Sequence, residues 1–320
     1  MSPRRPQRPS AGRSTSSTGS STGLSEASST GPFTGGGVLN AGPSPDRFDG
    51  LRSAHVAAAR RLRRAAARRE EGLFLVEGAQ AVTAALQADA LVELFVGESA
   101  LARHGQLMAG TGVPVRFVTD AAAAALSETV TPQGLVGVAE LPGHRLADLG
   151  RPRLVAVCEG ANDPGNAGTV IRSADAAGAD AVVFVGDSVD PFGGKCVRSS
   201  AGSLFHLPVI VAADAPTVVR ELRELGCQVL ATSGHADRDL DELAAAGVLA
   251  GPTAWVFGNE ARGLTAATAA SADTAVRVPV YGQAESLNLA VASALCMYAS
   301  ARAQRAVRSA TSGASGGGAR

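Results

Sequence analysis

The chain has 320 residues, no formal net charge at neutral pH and 45% hydrophobic side chains, a composition suited to globular packing. No apolar run approaches the ~18–20 residues that a membrane-spanning helix needs. The four cysteines, at 158, 196, 227 and 296, form no Cys-x-x-Cys or Cys/His cluster, which argues against both a zinc site and a disulfide framework.

Residues 1–47 are dominated by Ser, Thr, Gly and Pro. Such a stretch buries too little surface to offset its ordering entropy and reads as a disordered tail. It is rich in Arg and Ser, as organelle-targeting peptides are, but Pro3, Pro6 and Pro9 interrupt the amphipathic helix those peptides form. No apolar core follows its arginines, which argues against a secretory signal. A cytoplasmic location is expected.

Residues 48–145 read as a first unit. Between Arg52 and Arg69 stand seven arginines and no acidic residue, on a segment expected to be helical from Ser53 to Arg69. Strands follow at Leu73–Gly78, Val92–Val96, Val115–Val118 and Leu135–Ala139. Helices lie between them, one running from Ala79 to Gln87. Alternating α and β segments with short connections indicate an α/β sandwich.

A polar linker leads into a second unit, 150–303. Its near-continuous apolar strands are Leu154–Cys158, Ala181–Val185, Leu207–Val211, Gln228–Thr232, Trp255–Phe257 and Ala275–Val278. Separated by helices, they indicate a parallel sheet covered on both faces. From Arg151 to Arg302 there are 11 basic and 16 acidic side chains, counted along the chain. A basic front and an acidic rear point to a polyanion held at one end; the competing reading of the arginines is a solvated helix face. A last helix, Ser286 to about Arg302, is apolar nearly all round, so a second subunit is expected against it, the alternative being a central core helix. Residues 304–320 read as a tail.

Three polar loops fall where strands end, the edge at which open α/β sheets bind ligands. The first is Asn162-Asp163-Pro164-Gly165-Asn166-Ala167-Gly168, with Asn166 expected to cap the following helix and Arg172 on its second turn. The second is Gly258-Asn259-Glu260-Ala261-Arg262-Gly263. The third runs from Pro279 to Ser286-Leu287-Asn288, with Ser286 the expected N-cap. Gly193-Gly194-Lys195 does not make a phosphate loop, because Val189 and Cys196 occupy required positions, and no Gly-x-Gly-x-x-Gly follows the first strand.

Taken in order, these stretches resemble the SpoU, or TrmH-like, RNA ribose methyltransferases of the SPOUT superfamily. Asn166, Gly168 and Arg172 match that family's first motif, Gly258, Glu260 and Gly263 its second, and Pro279 with Ser286-Leu287-Asn288 its third. Val197 to Phe205 also looks like the family. Phe74-Leu75-Val76-Glu77-Gly78 after an Arg-rich helix resembles the opening of the ribosomal-protein-like RNA-binding domain that many members carry.

The resemblance implies a C-terminal trefoil knot, a homodimeric catalytic domain, and S-adenosylmethionine as donor of a methyl group to a ribose 2′-hydroxyl. It places Gly258, Val278 and Leu287 at the donor through backbone atoms, and Arg172, Asn166, Glu260, Ser286 and Asn288 on the reactive side, with no metal. Arg60, Arg61, Arg63, Arg64 and Arg68 are the expected RNA contacts. Ribosomal RNA of the 23S type is the expected substrate, ahead of transfer RNA; a catalytically silent RNA-binding protein on the same scaffold is the alternative.

Overall fold

The computed structural model describes residues 48–108 and 111–314. The expected N-terminal tail lies outside the described residues, as does the stretch 315–320. Two sheets organise the rest. Leu73–Glu77 (β1), Leu91–Gly97 (β2), Val115–Val118 (β3) and Leu135–Glu140 (β4) form a mixed sheet in the order β1-β4-β2-β3. In it β4 runs antiparallel to both neighbours and β2 parallel to β3.

The basic segment is two helices rather than one, Ala54–Arg61 (α1) and Ala65–Glu71 (α2). Leu62 drops into the core between them and Arg64 takes extended backbone angles, so the helix cannot continue. Ala79–Gln87 (α3), Leu101–Met108 (α4) and Asp120–Leu126 (α5) complete this half.

The larger sheet is parallel throughout: Leu154–Glu159 (β5), Ala181–Val185 (β6), Val209–Ala212 (β7), Gln228–Thr232 (β8), Arg238–Asp239 (β9), Thr253–Phe257 (β10) and Thr274–Arg277 (β11). Their order is β7-β6-β5-β10-β8-β11-β9. From β5 the chain builds outward to β6 and β7, then returns to fill the other side. The β5/β10 boundary is therefore the topological switch point, where loops at strand C-termini open a crevice.

Helices Pro164–Ala177 (α6), Gly194–Ser199 (α7), Ala215–Glu224 (α8), Leu240–Ala245 (α9), Ala266–Ser271 (α10) and Leu289–Ala314 (α11) cover this sheet. Trp255 on β10 is fully buried and donates Nε1 to Ser300 Oγ of α11 at 2.9 Å. α11 runs to Ala314, past the expected end near Arg302. Gln304, expected to begin a tail, is buried and donates its amide to Arg153 O and Gly251 O at 2.8 and 2.9 Å. Those two bonds tie the helix's extension to the chain just before β5 and β10.

The two sheets share one continuous apolar core, which joins Phe74, Val76 and Ala81 to Phe192, Leu204 and Ile171. Phe74 packs edge-on against Phe192 and nearly parallel to Phe205, with centroids 5.3 and 5.9 Å apart. Arg68 bonds Asp190 at 2.6 Å and Arg198 bonds Glu77 at 2.9 Å, so both seams of this contact carry an ion pair.

Candidate active site

The first loop leaves β5 and enters α6 at Asp163-Pro164. Asp163, not Asn166, is the N-cap: its Oδ1 accepts from Asn166 N at 2.8 Å, and Pro164 takes the first helical position. Proline fits there because its missing N–H has no helical partner anyway. Lys195 Nζ holds the other carboxylate oxygen at 2.9 Å. That hydrogen bond, followed by the one from the Asn166 backbone, holds the Asp163 carboxyl below its ordinary range.

The cap assignment frees the Asn166 side chain. Its Nδ2 donates to Glu260 Oε1 at 2.5 Å and its Oδ1 accepts from Asn288 Nδ2 at 3.0 Å. Asn288 Oδ1 in turn caps α11, accepting from Ala290 N at 2.9 Å and Val291 N at 3.4 Å. The capping residue of α11 is thus Asn288, two positions beyond the expected Ser286. All three loops meet in one directional chain: from the α11 amides through two side-chain amides to a carboxylate. The order fixes each amide's orientation, because a flipped Asn166 would set its NH2 against that of Asn288.

The second loop is shaped by its backbone. Gly258 approaches the end of its own turn so closely that a Cβ would lie 2.4 Å from Gly263 C and 2.5 Å from Leu264 N. The buried Asn259 donates Nδ2 to Gly160 O at 2.8 Å, while its Oδ1 accepts from Ala261 N and Arg262 N. Glu260 is thereby held toward the first loop. Gly168 has an equally physical reason: a Cβ there would sit 2.4 Å from Ser199 Cβ, where α6 crosses α7.

A cleft of about 980 Å³ lies along this edge, and Gly258, Glu260, Val278, Ser286 and Leu287 all line it. Leu264, Val278 and Leu287 are half-buried and make apolar wall, and Glu260 and Glu285 bring carboxylates. Asn166 and Asn288 line a second, apolar groove of about 600 Å³ with Val291, Leu295 and Tyr298 of α11. The amide–carboxylate chain forms the partition between cleft and groove.

Two expected residues stand apart. Ser286 lines the cleft but makes no hydrogen bond to a described residue. Arg172 is exposed, lines neither space and likewise has no hydrogen-bond partner among the described residues. Six residues along a helix turn its side chain roughly 120° away from Asn166, so one chain alone does not bring them together.

Of the basic set, Arg60, Arg61, Arg63 and Arg64 are exposed, although Arg61 faces Glu71 at 3.4 Å and Arg63 faces Glu128 at 3.6 Å. Arg68 is a correction. It is 5% exposed, and its guanidinium is engaged by Asp190, Leu62 O and Arg63 O, leaving no donor edge for a phosphate. Burial pushes the Cys158 and Cys196 thiols up to about 12, so neither supplies a thiolate near neutral pH.

A family model for the SpoU rRNA methylases matches residues 153–298, and one for the MRM3-like substrate-binding domain matches residues 54–137. The 23S rRNA (guanosine(2553)-2'-O)-methyltransferase RlmP of Bacillus subtilis is 37% identical over 72% of this chain and 89% of its own length. The chain belongs to the SpoU family.

Among solved structures, an RNA 2'-O ribose methyltransferase is 34% identical with a TM-score of 0.68, covering 80% of this chain and 98% of that one. The SpoU methyltransferase AviRb of Streptomyces viridochromogenes, in complex with its cofactor AdoMet, is 29% identical with a TM-score of 0.68, covering 80% and 99%. Motif reading of this SpoU chain finds Asn166, Glu260 and Asn288 but misses Asp163, Lys195 and Asn259, which set the geometry of those three. The Asp-Pro dipeptide was the available signal for the first. Nothing in the sequence marks the contact between Asn259 and Gly160, 99 residues apart.

Proposed function

We propose that this protein methylates a ribose 2′-hydroxyl of 23S-type ribosomal RNA at a guanosine, with S-adenosylmethionine as donor. The observation that carries the reading is the convergence of Asn166, Glu260 and Asn288 by hydrogen bonds on the wall of the cleft that Gly258, Val278 and Leu287 line. The cleft suits the donor chemically: half-buried Leu264, Val278 and Leu287 match its apolar and aromatic parts, and the Glu260 and Glu285 carboxylates favour a cation. S-adenosylmethionine supplies an already activated methyl group.

What the protein adds is alignment and management of one proton. Holding hydroxyl and methyl in attack geometry can supply several kcal/mol, up to about 7–11 in the best cases. The amide chain fixes Glu260 before substrate arrives, so no reorganisation is needed during the step. Arg172 acts as a clamp on a phosphate or ribose oxygen. A guanidinium presents five N–H donors and no acceptor, which suits a clamp and argues against a base.

Residues 48–145 form the RNA-binding unit, with Arg60, Arg61, Arg63 and Arg64 as phosphate contacts, and residues 150–303 the methyltransferase unit. A second copy covers the apolar groove, where Val291, Leu295 and Tyr298 are 49%, 43% and 40% exposed at helical spacing. Arg172 is on α6, the helix whose Asn166, Thr169 and Ser173 line that groove, and its own exposed side chain, which lines neither space of this copy, is the one left for the second copy's site. The strand order and the return of α11 onto α6 and β5 support the family's trefoil knot. The cytoplasm is the compartment where such a substrate is found.

Incubating the protein with unmodified, in vitro-transcribed 23S rRNA and methyl-labelled donor tests the reading. Label retained on one ribose, mapped by arrest of reverse transcription at low nucleotide concentration, is the expected result. Label on a base, or on transfer RNA alone, would refute it.

A further inference from the structure

Aromatic side chains make up 4% of this sequence, and Trp255, Phe74, Phe95, Phe184 and Phe257 are all at most 1% exposed. Tyr281 is the most exposed aromatic side chain among the described residues, at 88%, followed by Tyr298 at 40%. Tyr281 stands in the segment between β11 and α11 and lines the same cleft as Gly258, Glu260 and Ser286. Its phenol donates to Asp241 Oδ2 at 2.7 Å, and Asp241 belongs to the first turn of α9. The ring is tethered at its far end and bare on its faces. The same hydrogen bond raises the phenol pKa, keeping the tether intact across the physiological range.

What could lie on such a ring is limited by its surroundings. A small molecule in a deep cleft is typically about 70–90% enclosed, here between walls such as Leu264, Val278 and Leu287. Tyr281 lines the cleft yet is 88% exposed, far more than a walled-in side chain keeps, so its ring faces the open side from which a polymer arrives. Asp239 and Glu285 line the same cleft together with Arg262 and Arg277, and Asp239 faces Arg277 at 3.6 Å, so the charges around the ring are mixed in sign and do not by themselves hold a phosphodiester backbone. A nucleobase face is uncharged and needs only a π-surface. The stripe of Val291, Leu295 and Tyr298 lines the other groove, which Tyr281 does not reach, so a second copy on that stripe does not cover the ring.

We propose that Tyr281, held by Asp241, is the stacking platform for a nucleobase of the RNA at the acceptor site. This rests on the methyl-transfer reading above and adds to it a subsite for the base beside the reacting ribose. The tether matters because a ring already fixed loses little freedom when the base docks.

The test uses the full chain, unmodified in vitro-transcribed 23S rRNA and labelled S-adenosylmethionine. Tyr281→Ala should raise the KM for RNA about 5- to 150-fold, the range that stacking on one aromatic ring spans. Tyr281→Phe and Asp241→Ala keep the ring but give up the tether, and should raise it by a smaller factor, about 2- to 5-fold. The Kd for S-adenosylhomocysteine, measured by calorimetry, should change less than about twofold in all three, because the ring faces the open side of the cleft.

An unchanged KM for RNA in Tyr281→Ala overturns the proposal, as does weakened S-adenosylhomocysteine binding with RNA binding intact, which would put the ring on the donor. A wild-type protein that binds S-adenosylhomocysteine but methylates no ribose would bring down the functional reading and this subsite with it. That outcome is told apart from the others by the wild-type lane alone.

Discussion

Asn166→Ala is the most incisive substitution, because it removes the middle link between three loops. Two hydrogen bonds vanish, one of them to the Glu260 carboxylate. At a half-exposed site, each contributes on the order of 1 kcal/mol to stability, so the melting temperature should fall by only about 2–6 °C. Activity should respond far more. Glu260 loses the contact that aims it across the partition, and Asn288 keeps its cap but loses its orienting acceptor. Loss of one preorganised contact in an active site typically lowers kcat about 10²- to 10³-fold, and that is the fall expected in single-turnover methyl transfer to 23S rRNA. S-adenosylhomocysteine binding should hold, since Asn166 does not line the larger cleft. Asn166→Asp sharpens the test: two facing carboxylates favour sharing one proton, so its residual activity should acquire a pH dependence beyond the wild type's. A kcat for Asn166→Ala within about threefold of wild type, well short of the 10²-fold minimum, would refute the idea that this chain prepares the site.

Gly258→Ala puts a methyl group into the Gly263–Leu264 backbone and should cost about 1–3 kcal/mol in denaturant unfolding while weakening S-adenosylhomocysteine binding in calorimetry; unaltered binding would show the turn to be pliable. Arg60→Ala and Arg64→Ala should each lower RNA affinity and reduce the slope of log K against log salt by about one. Arg68→Ala, by contrast, should leave that slope alone and destabilise the fold by about 3–5 kcal/mol, because it strands Asp190 and two carbonyls. The folded-state pKa of Asp163 is depressed, chiefly by Lys195, so the stability it contributes is present above the ordinary carboxylate value of 3.8 and is lost as pH falls below that value. Asp163→Asn, followed by thermal melts from neutral to acid pH, should flatten this dependence, and added salt should weaken the wild-type effect because the pair is half-exposed.

The strands of the larger sheet were legible because parallel strands buried on both faces are written as largely apolar runs. Ala181–Val185 and Gln228–Thr232 agree with β6 and β8 residue for residue, and in the smaller sheet Val115–Val118 agrees with β3, a half-buried edge strand that carries Arg116. Strand β9, Arg238–Asp239, carries no such run and was invisible. Caps were harder, since Ser, Asp and Asn all cap helices well and each loop offers several of them. In the first loop Pro164 decides for Asp163; in the third, only the two amides of α11 choose Asn288 over Ser286. Arg68 could not have been separated from its exposed neighbours by composition, because the residue that buries it, Asp190, lies 122 positions away. Long-range pairing of that kind leaves no local trace.

The continuity of the core across both sheets bears on how an RNA is held. Phe74 is fully buried between Phe192 and Phe205 of the other half, and separating the halves would expose it while breaking the Arg68–Asp190 and Arg198–Glu77 pairs. Each of those pairs has a partner that is largely withdrawn from water, Arg68 at 6% and Glu77 at 8% side-chain exposure, so opening strands a charge as well as an aromatic face. Interfaces between loosely joined domains are more polar and smaller in consequence; this one is built like an interior. The basic face of α1 and the cleft at the C-terminal ends of β10, β8 and β11 therefore keep a fixed distance. On the proposed reading, an RNA gripped by its phosphates at α1 presents only a ribose that its own structure places at the cleft, and selection of the nucleotide becomes a matter of RNA shape before any base is touched.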